Sequence, residues 1–96
     1  MNTIRQTHRF RTWLSGLADA KAKAAIVDRL ERAGKGNFGD HAPVGAGVFE
    51  MRVHSGPGYR LYYIRRGSTL YILLCGGTKR SQKADIKLAH QMASEL

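Results

Sequence analysis

Between Val48 and Cys75 the chain carries three runs rich in aromatic and branched residues, separated by two short turns, Ser55-Gly56-Pro57-Gly58 and Arg66-Gly67-Ser68. Connections this short join antiparallel neighbours, because a parallel pair needs a crossover of a dozen residues or more. The centre of the chain is therefore an antiparallel meander. In the first run Phe49, Met51 and Val53 alternate with Glu50, Arg52 and His54, which predicts a strand with one apolar and one polar face. Tyr59 to Arg65 is the second strand. The third, Thr69 to Cys75, is apolar on both faces, which predicts an interior strand stopped by Gly76 and Gly77.

The flanking segments follow a helical period. Phe10, Trp13, Leu14 and Leu17 predict a first short helix from His8 or Arg9, preceded by Thr3 to Thr7, which can form a short strand. Asp19 can cap a second helix, whose Ala22, Ala25, Ile26, Leu30 and Ala33 share one face and which Gly34 and Gly36 end. Asn37 to Gly47, rich in Gly, Asp, His and Pro, reads as a loop. Ser81 can cap a closing helix that buries Ile86, Ala89, Met92 or Ala93, and Leu96. The fold class is α+β, one domain over residues 1–96: two N-terminal helices, a meander and a C-terminal helix. An antiparallel sheet of this kind covers one face with helices and leaves the other partly open.

Sixteen Lys and Arg against seven Asp and Glu give 96 residues a net charge of +9. Such a field favours polyanionic partners: nucleic acid, an anionic surface or an acidic protein. Six of the cations and one acid, Glu50, lie between Gly45 and Arg80, so the second half carries the expected binding surface. The one cysteine, Cys75, lies in an apolar run and reads as a buried thiol in a reducing compartment. No apolar run approaches the roughly 20 residues needed to span a bilayer, and the polar, basic Met1 to Phe10 is unlike a secretory signal, so a cytoplasmic protein without membrane contact is expected. His8, His41 and His90 lack the Cys or acidic spacing of a metal site, and the Walker-type glycine pattern is missing, so neither metal nor cofactor is expected.

Glu50-Met51-Arg52, Gly56-Pro57-Gly58-Tyr59-Arg60 and Leu74-Cys75-Gly76-Gly77, with Lys79, Gln82, Asp85 and Ile86, together resemble the phage-derived (Gp49-like), HigB-like addiction-module killer branch of the RelE/ParE toxin superfamily. Phe10, Trp13, Leu14, Asp19 and Gly36 to Asp40 extend the likeness over nearly the whole chain. The resemblance implies a RelE-like fold and a bacterial type II toxin neutralised by a cognate antitoxin, often a helix-turn-helix protein, through which alone it would meet operator DNA. RelE-like and HigB-like members cut messenger RNA on the ribosome, whereas ParE-like members inhibit DNA gyrase. The killer branch is grouped with the ribonucleases. An inactive basic binding module is a third reading.

Metal-independent RNA cleavage by 2′-hydroxyl attack needs a base, cations for the developing phosphorane charge and an acid for the leaving oxygen. Arginine forks bind phosphate oxygens and stay charged. By resemblance, Arg60 matches a catalytic arginine and Lys79 a second catalytic cation, with Arg52 third. RelE-like toxins place a tyrosine near Asp85, and the acid here departs from that pattern. His54 becomes the first acid–base candidate, histidine being the side chain that titrates near neutrality, with Asp85 and Glu50 behind it. Tyr59 and Tyr62 are candidates for stacking on a base, and Arg80, Lys21 and Lys23 for gripping RNA phosphates.

Overall fold

A computed structural model describes residues Met1–Leu96. The elements run β1 (Thr3–Gln6), α1 (His8–Ser15), α2 (Ala20–Gly34), β2 (His41–Pro43), β3 (Val48–Val53), β4 (Tyr59–Arg66), β5 (Leu70–Thr78), a 3-10 turn (Lys79–Ser81) and α3 (Gln82–Ser94). The architecture is α+β, with the five strands in the order β1-β5-β4-β3-β2. The meander of β3, β4 and β5 is antiparallel, and β1 lies parallel to β5 on the far edge.

Local chemistry explains the helix starts. Thr7 accepts a hydrogen bond from the Phe10 amide, and Asp19 accepts from the Lys21 and Ala22 amides at 3.0 and 3.1 Å. From these starts α1 and α2 lay Phe10, Ala22, Ile26, Leu30 and Ala33 on one face of the sheet, against Met51, Val53, Leu61 and Leu73. Each large apolar side chain buried there contributes about 1.5–3 kcal/mol. On the opposite face α3 packs Ala89 against Val48, Tyr62, Ile64 and Leu74.

The sheet is thus covered on both sides, and five expectations change. The face of β3 that carries Glu50 is not open, because α3 crosses it and Glu50 is 1% exposed. Gly76 and Gly77 do not stop β5: they pair with Leu61 and Arg60, and the strand runs on to Thr78. They are glycines because neighbours close in from each side. A Cβ on Gly76 would lie 2.4 Å from the Trp13 ring, and one on Gly77 would lie 1.9 Å from Asp85 Oδ2. Ser81 does not cap α3, its hydroxyl lying 2.5 Å from Asp85 Oδ2 and 3.3 Å from the Thr78 carbonyl instead. Leu96 lies past the end of α3 and is exposed. Within the expected loop, three residues form β2, paired with β3. No helix is long and apolar enough to cross a membrane.

Candidate functional site

The polar positions of β3 and β4 meet where the meander turns. Arg52 and Arg60 are register partners, so their side chains leave adjacent strands side by side. Both reach the same atom. Glu50 Oε2 accepts from Arg60 Nη1 at 3.1 Å and forms an ion pair with Arg52, whose Nε lies 3.2 Å away, while Oε1 accepts from Gln82 Nε2 at 2.8 Å and Tyr62 OH at 3.4 Å. A buried carboxylate is tolerated only when its lone pairs are filled and its charge is balanced, and here three hydrogen bonds and the Arg52 ion pair do both. Arg60 is correspondingly enclosed, with a side chain 13% exposed.

Arg52 also turns outward. Its Nη1 donates to Asp40 Oδ1 at 2.8 Å, and the other oxygen of Asp40 accepts from His54 Nε2 at 2.7 Å. Those two hydrogen bonds, His54's first, hold the Asp40 carboxyl below the usual carboxylate range. Because an ionised carboxylate can only accept, the neutral His54 ring carries its proton on Nε2 and its lone pair on Nδ1. The ring is open to solvent, its side chain 73% exposed. An imidazole oriented by a carboxylate, with one nitrogen free, can accept a proton at that nitrogen.

Asp40 itself is anchored from below. Its carbonyl accepts from the Arg52 amide at 2.9 Å, and Arg29 of α2 ties the loop down through the carbonyls of Phe38, at 2.9 Å, and Arg52. Burial lowers the Arg29 pKa from its ordinary value, yet it holds three carbonyls and remains the clamp between α2 and β3.

Lys79 lies at the same end of the sheet, because its amide donates to the Gly58 carbonyl at 3.0 Å, in the turn that follows His54. Lys79 and Arg80 are exposed. The Asp85 carboxylate covers Gly77, the register partner of Arg60, and so belongs to this face as well.

The other candidates lie elsewhere. Tyr59 and Tyr62 are buried, Tyr62 completely, so neither offers a ring face to a base. Burial and the Glu50 charge raise the Tyr62 pKa far above that of a free phenol. Lys21 and Lys23 ride on α2, across the sheet from Glu50, and Lys23 Nζ donates to the Ser15 carbonyl at 3.1 Å. Sequence reasoning passed over Asp40, Arg29 and Gln82 as functional residues. Asp40 had a signal, a carboxylate in a Gly-rich loop, but its partners are 12 and 14 residues away and no periodicity relates them. No three His, Cys, Asp or Glu side chains gather as a metal site requires.

Residues 12–94 match the model of the family described as phage derived protein Gp49-like (DUF891). The chain belongs to this family. The Gp49-like family is toxin-like, and its members are often the toxins of toxin–antitoxin modules. A relative from Haemophilus influenzae, described as an uncharacterized protein, is 47% identical over 93 residues, covering 97% of this chain and 94% of its own.

Proposed function

We propose that this Gp49-like chain is the toxin of a type II toxin–antitoxin module, a RelE/ParE-type and HigB-like protein that cleaves messenger RNA on the ribosome. The observation that carries the reading is the His54–Asp40 pair at 2.7 Å, beside two guanidinium groups that share Glu50 Oε2. In the reaction His54 Nδ1 takes the proton of a ribose 2′-hydroxyl, whose oxygen forms a bond to the adjacent phosphorus. The bond from phosphorus to the 5′-oxygen breaks, leaving a 2′,3′-cyclic phosphate and a 5′-hydroxyl once that oxygen takes a proton from water or the Lys79 ammonium. Arg52 and Lys79 are the cations that meet the phosphorane charge, and Arg60, enclosed against Glu50, orders Arg52. Arg80 grips flanking phosphates. A cognate antitoxin, expected to be a helix-turn-helix protein with an acidic or amphipathic segment, neutralises the toxin by covering this end, and links it to operator DNA.

The test uses purified protein and ribosomes programmed with a defined message. The wild-type chain cuts the message, and His54→Ala, which changes an exposed ring, lowers the rate about 10²-fold or more while the melting temperature stays within a few degrees. Undiminished cutting by His54→Ala removes the base from the mechanism. One observation favours the ParE-like reading: Arg60 is neutralised by Glu50 rather than free for a phosphate. Inhibited DNA supercoiling with intact message would establish that reading instead.

A further inference from the structure

On the α2 side of the sheet, away from His54, a cavity of about 180 Å³ opens among Phe38, His41, Phe49, Tyr63, Arg65 and Tyr71. It is far smaller than the roughly 300–1,000 Å³ of drug-sized pockets and has room for one flat ring. Its walls are π surfaces. Phe38 and Phe49 each lie nearly parallel to Tyr63, at interplanar angles of 16° and 22°, and Tyr71 tilts against Phe38 with ring centroids 4.7 Å apart.

The rim is polar and carries no acid. Arg65 donates from Nε to the Gly67 carbonyl at 2.8 Å, has no carboxylate partner, and leaves its Nη groups without a hydrogen bond in the chain. His41 Nδ1 lies 2.8 Å from the Gly39 carbonyl, an acceptor, so Nδ1 donates and Nε2 is left as a free acceptor. Tyr63 is 3% exposed, yet its hydroxyl has no partner in the chain. Every sealed side-chain polar atom has a partner, so that hydroxyl reaches solvent.

We infer that this cavity binds one unpaired nucleobase of a single-stranded RNA, with the ring against Phe38 and Phe49, an edge on His41 Nε2 and the Tyr63 hydroxyl, and a phosphate on Arg65. Stacking on aromatic faces beside a cation is how unpaired bases are held, and a net charge of +9 draws the polyanion that carries them. A phenylalanine of an acidic peptide would use the same rings, but it would leave His41 Nε2 and the Tyr63 hydroxyl unmatched. The site is independent of cleavage, being on the other face of the sheet from Glu50, and its test needs no ribosome.

The experiment titrates the full chain, carrying His54→Ala, with a single-stranded hexaribonucleotide and follows the Phe38, Phe49, Tyr63 and Tyr71 ring protons by NMR. Those resonances shift. Phe49→Leu weakens binding about tenfold, and Arg65→Gln, a surface change that leaves the core intact, flattens the slope of log affinity against log salt by about 0.7. An abasic hexamer binding as tightly, ring protons that do not move, or the same shifts from an acidic aromatic peptide but not from RNA would each overturn the assignment.

Discussion

Glu50 is the side chain on which the arginine pair depends, and Glu50→Gln isolates its charge at nearly constant shape. The carboxylate is 1% exposed, accepts from Arg60, Gln82 and Tyr62 and forms an ion pair with Arg52. Removing one partner of a buried ion pair costs about 3–5 kcal/mol, because the other charge is left uncompensated. Arg52 keeps Asp40 at 2.8 Å, and the glutamine keeps a carbonyl oxygen for one of the donors, so the cost is reduced to about 2–4 kcal/mol. For a domain of this size about 1 kcal/mol moves the melting temperature by about 4–8 °C, so a fall of about 8–30 °C is expected in thermal unfolding followed by circular dichroism. The double variant Glu50→Gln with Arg60→Met removes both charges, keeps an oxygen for the Gln82 and Tyr62 donors and recovers part of the loss, since Arg60 is no longer left as an uncompensated charge. A melting temperature within 3 °C of wild type for Glu50→Gln would refute the argument that this carboxylate compensates Arg60.

Gly77→Ala sets a Cβ 1.9 Å from Asp85 Oδ2, so it costs about 1–3 kcal/mol in urea titrations, and less in an Asp85→Ala background; equal costs in both would disprove the contact. Burial pushes the Cys75 thiol up to about 12, so the native protein resists a thiol-specific disulfide reagent at pH 8 and reacts only on unfolding; stoichiometric labelling of the folded chain within minutes would contradict its place in the core. Asp40 titrates lower folded than unfolded, so its contribution is complete above about pH 4 and disappears as the pH falls through the depressed value. The melting-temperature gap between wild type and Asp40→Asn is therefore present at pH 5 and closes in stronger acid, whereas a gap that persists at pH 2 would assign the loss to something other than the carboxylate.

The elements were legible where one physical rule governs them. Turn spacing announced the meander, and Asp19 announced the start of α2. What escaped was set by contacts distant in sequence. Alternation alone put Glu50 on a solvent face, but the doubly apolar Leu70 to Cys75 already implied cover on both sides, and α3 supplies it. Two glycines read as a stop because their local meaning is flexibility, whereas Trp13 and Asp85 make them a requirement of close approach within a strand. Tyr62, aromatic in a strand beside polar neighbours, fits a surface or a core equally until the helix above it is placed. The juxtaposition of Arg52 and Arg60 was readable from the hairpin register, while Asp40, which orients His54, was not, because a loop held by Arg29 delivers it.

The most direct test of the proposed mechanism is the chemistry of the cut ends. Mass spectrometry of message cleaved on programmed ribosomes by the wild-type chain is expected to find a 2′,3′-cyclic phosphate on the upstream fragment and a 5′-hydroxyl on the downstream one, with both lost in His54→Ala. A 3′-hydroxyl facing a 5′-phosphate, or the cyclic ends persisting at full yield without His54, would contradict it.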